Sequence, residues 1–417
     1  MGETDLIKQL FLEALGASLR DARVDWEMEL TQENWAELFR LAQAHHVLPM
    51  IYEAVYACPA VRSADPRMMM FFKRQTLQSV MMQAMKTSEF LAMMKHLQAA
   101  GLTPCVVKGI ACRSLYPHPD HRMSGDEDVL IPIRQAERCH EALLAFGMQM
   151  AEPEQERETA YEIPYGRKGS PIYIELHKSL FPPDNDAYGD FNRFFEHAHE
   201  RTAALTVDGV TMATLCPTDH FFYLICHSFK HFLHSGFGLR QVCDIVLFAK
   251  CWGSEIDWTL VRRNCEEIHA MQFMLALLKI GKVHFGFDPA VACLPEGWRI
   301  DDVDERAMLD DLLDSGVYGD ATMSRKHSST MTLSAVSADK QGKQAKRSIL
   351  RTLFPRRDSL TGRYPYLKKR PYLLPVAWAS RIVGYARRSG KGSDNTAESL
   401  RIAGERIELM RKYGIIK

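Results

Sequence analysis

Asp126 and Asp128 stand on either side of Glu127 in the run Gly125-Asp126-Glu127-Asp128-Val129-Leu130-Ile131. On a β-strand, residues i and i+2 point to one face. Both aspartates would then project together, with Val129 and Ile131 packed on the other side. Two carboxylates this close repel unless a cation lies between them. Mg²⁺ suits such a place, because it takes oxygen ligands and shares its shell with phosphates. An isolated Asp-x-Asp is more often a solvated strand end, so the pair needs company. Ile172-Tyr173-Ile174-Glu175-Leu176-His177 supplies it. Its alternation turns Ile172, Ile174 and Leu176 toward a core and sets Glu175 and His177 on the opposite face. A third carboxylate from a neighbouring strand completes the donors of a two-metal site, which clamps attacking and leaving oxygens. Val106-Val107-Lys108-Gly109 adds a strand, a glycine turn and a helix start. That geometry offers backbone N–H groups to phosphate, and Lys108 offers a point charge.

Four histidines form a second group. His220, His227, His231 and His234 recur at helical spacing, with Lys230 among them. Histidines at i and i+4 can bind zinc. Neither an HExxH pattern nor an obvious third ligand accompanies them, which puts zinc behind two other readings. Those are a hydrogen-bonded polar stripe and contact with a substrate.

The elements that must position these groups can be read from periodicity. Residues 1–100 read as helices: Leu6, Leu10, Phe11, Ala14 and Leu15 share a face, and so do Trp35, Leu38, Phe39, Leu41 and Ala42. Thr31 is placed to cap the second helix. A Met-rich third helix covers Met68 to Leu97, its methionines read as core filling. At Gly101 the pattern turns to strands. GLTPCVVKG and DEDVLIPI are strands, Arg134 to Phe146 is a helix ended by Gly147, and YEIPYGRKGSPIYIELH is a hairpin turning at GRKGS. A further strand pair turns at Asp208-Gly209. From Pro217 the chain returns to helices. Residues 320–347 are poor in apolar side chains and rich in Ser and Thr, and read as a mobile connector. A final helix covers about 396–412. The expected fold is α+β, a small mixed sheet between N-terminal and C-terminal helical units. Its boundaries fall at 1–100, 101–215, 216–319, 320–347 and 348–417.

Taken in order, VVKGIACRSLYP, HRMSGDEDVLIP, IYIELHKSL, LICHSFKHF and LRQVCDI resemble the polymerase-β-like nucleotidyltransferase superfamily, and within it the family of uncharacterised nucleotidyltransferases. Weaker similarity reaches WAELFRLAQAHHVLP and the Pro- and Arg-containing C-terminal stretch. The resemblance implies that Asp126, Asp128 and Glu175 are both catalytic and metal-binding, with Mg²⁺ or Mn²⁺ as the cation. It implies a nucleoside triphosphate, ATP among the candidates, as donor of an NMP group to an acceptor hydroxyl, with release of pyrophosphate. Lys108, Gly109, Arg122, Ser124, His177, His227, Lys230, His231, Arg240 and Asp244 are expected to contact the nucleotide. One departure stands out. The superfamily's turn is usually Gly-Ser or Gly-Gly-Ser, whereas Ile110 follows Gly109 here. Phosphate binding is therefore expected to lean on Lys108 or Arg122, and the superfamily's nucleotide preference does not carry over.

Composition bounds the setting. The 417 residues carry no net charge, and 46% are hydrophobic, as in ordinary folded proteins. Ten cysteines without CxxC pairs argue for a reducing compartment. The N-terminus lacks the pattern of a secretory signal, and no apolar run reaches membrane-spanning length. The chain is therefore expected to be cytoplasmic. Charge is unevenly placed: Lys340 to Lys391 holds fifteen Lys or Arg and one acid, Asp358. That stretch reads first as a solvated basic face, then as a membrane or nucleic-acid contact, neither favoured. The expected acceptor is a small molecule, peptide or protein. The rival functions are an inactive nucleotide-binding scaffold and an RNA-modifying nucleotidyltransferase. The eight hydroxyls from Thr322 to Ser337 add self-modification as a distant option.

Overall fold

A computed structural model of the chain describes residues 3–153, 156–234, 236–315, 323–340, 370–378, 380 and 396–417. Four helices lead: α1 Glu3–Leu19, α2 Gln32–Ala44, α3 Leu48–Val55 and α4 Pro66–Ala99. Thr31 caps α2 as its sequence suggests. Its hydroxyl accepts from the Asn34 N–H at 3.2 Å, while the Asn34 side-chain oxygen accepts from the Thr31 N–H at 3.1 Å. The short helix α3 is an addition to the sequence reading, with Pro49 in its first turn.

Seven strands follow: β1 Cys105–Val106, β2 Glu127–Leu130, β3 Gln149–Met150, β4 Glu162–Gly166, β5 Tyr173–His177, β6 Thr202–Val207 and β7 Val210–Leu215. Their spatial order is β3-β4-β5-β2-β1-β7-β6. β2 runs parallel to β5, and β1 parallel to β7. The remaining neighbours are antiparallel, so the sheet is mixed. The two hairpins turn where the sequence placed them. Asp208 and Gly209 both have positive φ, 47° and 75°, which a two-residue hairpin requires. Helices α5 Ile110–Arg113 and α6 Ala136–Ala145 lie between strands. A 3₁₀ turn at Ile133–Gln135 occupies the start expected for α6.

The sheet separates two cores. Val106, Val129, Ile131, Ile174 and Leu176 pack with Phe90, Met94 and Leu97 of α4 and Leu143 of α6. Cys105, Val107 and Leu130 face the other way, into a larger core shared with α1–α3 and helices α7 Pro217–His234 and α8 Leu239–Trp252. Helices α9 Trp258–Glu267, α10 Met271–His284 and α11 Arg306–Ser315 extend that core. No described helix is long and apolar enough to cross a membrane.

The connector expected at 320–347 is overturned where it is described. Met323–Lys340 form helix α12, packed against α7 and the C-terminal helix Thr396–Lys412. The few apolar residues fall at helical spacing: Met331, Ala335 and Val336 are buried, alongside Ser328 and Thr332. Thr332 donates its hydroxyl to Leu233 O at 2.7 Å, satisfying a carbonyl at the end of α7. Small and hydroxylated residues thus permit close helix contact that a count of large apolar residues overlooks. Residues 341–369 and most of the remaining basic stretch lie outside the described residues.

Candidate active site

The parallel pairing of β2 with β5 sets Asp128 directly opposite Glu175, and Leu130 opposite His177. Hydrophobic alternation on both strands anchors Val129, Ile174 and Leu176 in one core. Their polar neighbours are thereby driven to the opposite face. Donor atoms of Asp128, Glu175 and His177 all lie within 4.8 Å of one another. The antiparallel hairpin adds Glu162, which pairs across from His177.

His177 sits among three carboxylates. Its Nε2 lies 3.2 Å from Asp128 Oδ1 and 3.6 Å from Glu175 Oε2, and its Nδ1 lies 3.7 Å from Glu162 Oε2. Burial opposes its charged form, but the hydrogen bonds to Asp128 and Glu175 outweigh burial and push its pKa up to about 9. Lys108 Nζ lies 2.9 Å from Asp128 Oδ2. Burial also works against the Lys108 ammonium, and Asp128 and Asp126 overcome it, holding Lys108 protonated. Asp128 answers in kind: burial would raise its pKa, but Lys108 and His177 bring it well below the usual range. Glu175 differs. Burial, reinforced by Asp128 and Asp126, raises its pKa despite His177.

The roof of the site comes from α7. Lys108 Nζ lies 3.2 Å from His227 Nε2, and His231 Nε2 lies 3.3 Å from the same atom. Burial and then Lys108 lower the His227 pKa; burial and then Lys230 lower that of His231. Both imidazoles are neutral and able to accept or donate. The remaining two histidines leave the group. His220 Nδ1 meets Thr214 Oγ1 at 3.2 Å, and His234 Nε2 meets the Tyr188 hydroxyl at 2.6 Å.

Several residues expected at the nucleotide are engaged elsewhere. Arg122 and Asp244 bind each other, Nε to Oδ1 at 2.7 Å and Nη2 to Oδ2 at 2.6 Å, and Tyr116 donates to Asp244 at 2.7 Å. Their bond joins the segment before β2 to α8. Ser124 donates to Glu127 Oε1 at 3.1 Å and accepts from Arg113 Nη1 at 3.0 Å. Gly109 does not present its helix end to a ligand: the Ile110 N–H donates to Glu127 Oε2 at 2.6 Å. Glu127 also takes Arg113 Nη2 at 2.7 Å, on the side of β2 away from Asp128. That carboxylate therefore ties the turn that was expected to hold phosphate to Arg113. Asp126 precedes β2, partly exposed, and is not among the three clustered donors. Its charge still acts on Lys108 and on Arg240. Arg240 Nε and Nη1 are buried, with no hydrogen-bond acceptor among the described residues.

Of the expected trio, the structure brings Asp128 and Glu175 together with His177, and sets Asp126 at the margin of the cluster. Glu162 is a neighbour of His177 that the sequence alone did not single out, and the hairpin register at GRKGS would have found it. Glu127 and Arg113 carried no signal, because only the folded turn brings them together. The donor set fits a divalent cation. Two carboxylates can close on a hard ion at about 2.1 Å, and the paired strands set Asp128 directly opposite Glu175, with donor oxygens inside the same 4.8 Å cluster.

Two comparisons bear on this site. The family model for an uncharacterised nucleotidyltransferase matches residues 31–286, more than half the chain and all seven strands. No curated protein matches.

Proposed function

The chain belongs to the uncharacterised nucleotidyltransferase family, and from that premise we propose that it moves an NMP group from a nucleoside triphosphate to an acceptor hydroxyl, in the manner of the polymerase-β-like enzymes. The observation that carries the reading is the convergence of Asp128, Glu175 and His177 donor atoms on two paired strands. Asp128 and Glu175, with Asp126 at the margin, would hold Mg²⁺ or Mn²⁺. Such an ion, when bound, neutralises phosphate charge and acidifies the acceptor hydroxyl.

The chain's own groups account for the rest. Glu175, with its raised pKa, takes the acceptor proton; a base is most effective when its pKa approaches the working pH. The acceptor oxygen bonds to the α-phosphorus as the bond to pyrophosphate breaks. Arg240, with two guanidinium nitrogens that have no acceptor among the described residues, and Lys230 meet the charge of the triphosphate. His227 and His231 position it through neutral ring nitrogens. Positioning and fixed charge supply most of the acceleration in such reactions. Seven buried free cysteines support a reducing, cytoplasmic setting.

The test is calorimetric titration with ATP, GTP, CTP and UTP, with and without Mg²⁺, against the Asp126→Asn/Asp128→Asn double variant. Metal-dependent binding of one nucleotide, lost in the variant, supports the reading. Absence of binding by folded protein overturns it. A second reading has its own observation: Lys108 and His177 already neutralise Asp128. A scaffold that binds nucleotide without turnover would show binding but form no pyrophosphate with any acceptor.

A further inference from the structure

Helix α4 carries a surface that the acid site does not use. Met70, Phe71, Leu77, Met81, Met82 and Met85 are between 40% and 61% exposed. At helical spacing they fall within an arc of roughly 140°. Large exposed apolar patches of this kind mark interaction sites, and methionine adapts to varied partners. The same line of the helix continues through Ala84, Ser88, Ala92 and Lys95, which form one wall of a cleft of about 720 Å³. The opposite wall includes Thr206 and Val207 near the β6–β7 turn, with Ser114 and Pro119. Ridge and cleft together run about 38 Å from Met70 to Lys95.

The charge of the ridge is one-sided. From Pro66 to Ser88 the helix contains no Asp or Glu. Arg67 and Arg74 fall within the arc itself and Lys73 beside it, all three exposed, and Lys95 is exposed at the far end. Asp120 and Asp208 line the cleft, so the cationic field belongs to the ridge.

We propose that this face docks an acidic, amphipathic segment of another polypeptide, its apolar side on the methionine ridge and one end in the cleft. The charge argues against the other occupants. A second copy would bring an equally cationic face to meet this one. The chain's own stretch from Lys340 to Lys391, with fifteen basic residues and one acid, carries the same sign. A flat bilayer would touch the ridge but not the cleft floor. The inner side of α4 packs on Val129 and Leu176, so the partner sits across the sheet from Asp128 and Glu175. The inference therefore stands apart from the transfer reaction.

The experiment uses the full chain and a fluorescein-labelled synthetic helix of about 20 residues, spanning about 30 Å, with Leu on one face and Glu on the others. A second peptide replaces every Glu by Lys. Anisotropy titration should show the Glu peptide binding at least about tenfold tighter. Leu77→Asp/Met81→Asp should weaken it by a similar factor, with thermal midpoint and ATP binding unchanged. Arg67→Glu/Lys73→Glu/Arg74→Glu should reverse the preference between the peptides. The proposal is overturned by absent binding of the Glu peptide, or by equal binding of both peptides. It is also overturned if sedimentation shows self-association, or phosphatidylglycerol vesicles show capture, that the Leu77→Asp/Met81→Asp variant abolishes.

Discussion

Glu127 fills the space that Gly109 leaves by having no side chain. A Cβ built on Gly109 would stand 1.9 Å from the Glu127 carboxylate, at a φ of +48° that other residues rarely adopt. Clash and backbone strain add, so Gly109→Ala should lower stability by about 3 kcal/mol in urea unfolding; a change within 0.5 kcal/mol would show that the turn can relax. Lys108 plays the opposite part, a charge held for what it neutralises. It faces Asp128 at 2.9 Å, with Asp126 and Glu175 also acting on it. Lys108→Met removes that counter-charge and leaves the carboxylates repelling. Such a variant should melt lower than wild type in chelator and gain more from added Mg²⁺, read as a larger shift in thermal midpoint. Equal shifts in the two proteins would mean that the cation binds away from Asp128.

At the scale of elements, hydroxyls decide where apolar counting fails. Helix α12 is held to α7 partly by Thr332, whose hydroxyl donates to Leu233 O. Thr332→Val keeps the shape and strands that carbonyl. The expected loss is about 1 kcal/mol, measured by denaturant midpoint at unchanged slope; a stabilised variant would assign the contact to packing alone. The strand elements behaved differently. β4 and β5 were readable because one face is buried, and a slip of one residue would turn Ile163, Ile174 and Leu176 outward. The same register carries Glu162 to His177, so a site neighbour follows from a hydrophobic pattern. The Glu127–Arg113 pair has no such precursor in periodicity.

Across the whole molecule, Asp244 ties the segment before β2 to the helical core. Arg122 and Tyr116 both bind it, and all three are buried. Asp244→Ala would leave the Arg122 charge buried without its counter-charge, at a cost of about 3–5 kcal/mol. Thermal unfolding of the variant checks this, and a loss below about 1 kcal/mol would mean that water reaches Arg122. Acid should act through buried neutral histidines. Burial brings His45 down from 6.5 to about 4. Between those values the unfolded chain takes up a proton that the folded chain refuses, so stability falls as pH drops through this window. Above pH 6.5 the group adds no slope. Unfolding free energies measured across the window should decline less steeply in His45→Gln than in wild type; parallel curves would place the acid sensitivity elsewhere.

By itself the sequence determined the strands other than β3, their turns, the side of the strands on which Asp128 and Glu175 stand, and the family. Each is written in local alternation or in the order of short motifs, which one stretch of chain can express. Only the tertiary structure decided which donors converge. Pairing β2 with β5 brought His177 into the cluster and left Asp126 at its margin. Folding of the Gly109 turn onto Glu127 gave the Ile110 N–H a carboxylate partner that the turn alone did not suggest. The same difference holds for Arg122 and Asp244, which look like ligand contacts along the chain and satisfy each other across it. A charge's partner is set by whichever opposite charge burial brings nearest, and distance along the sequence does not record that.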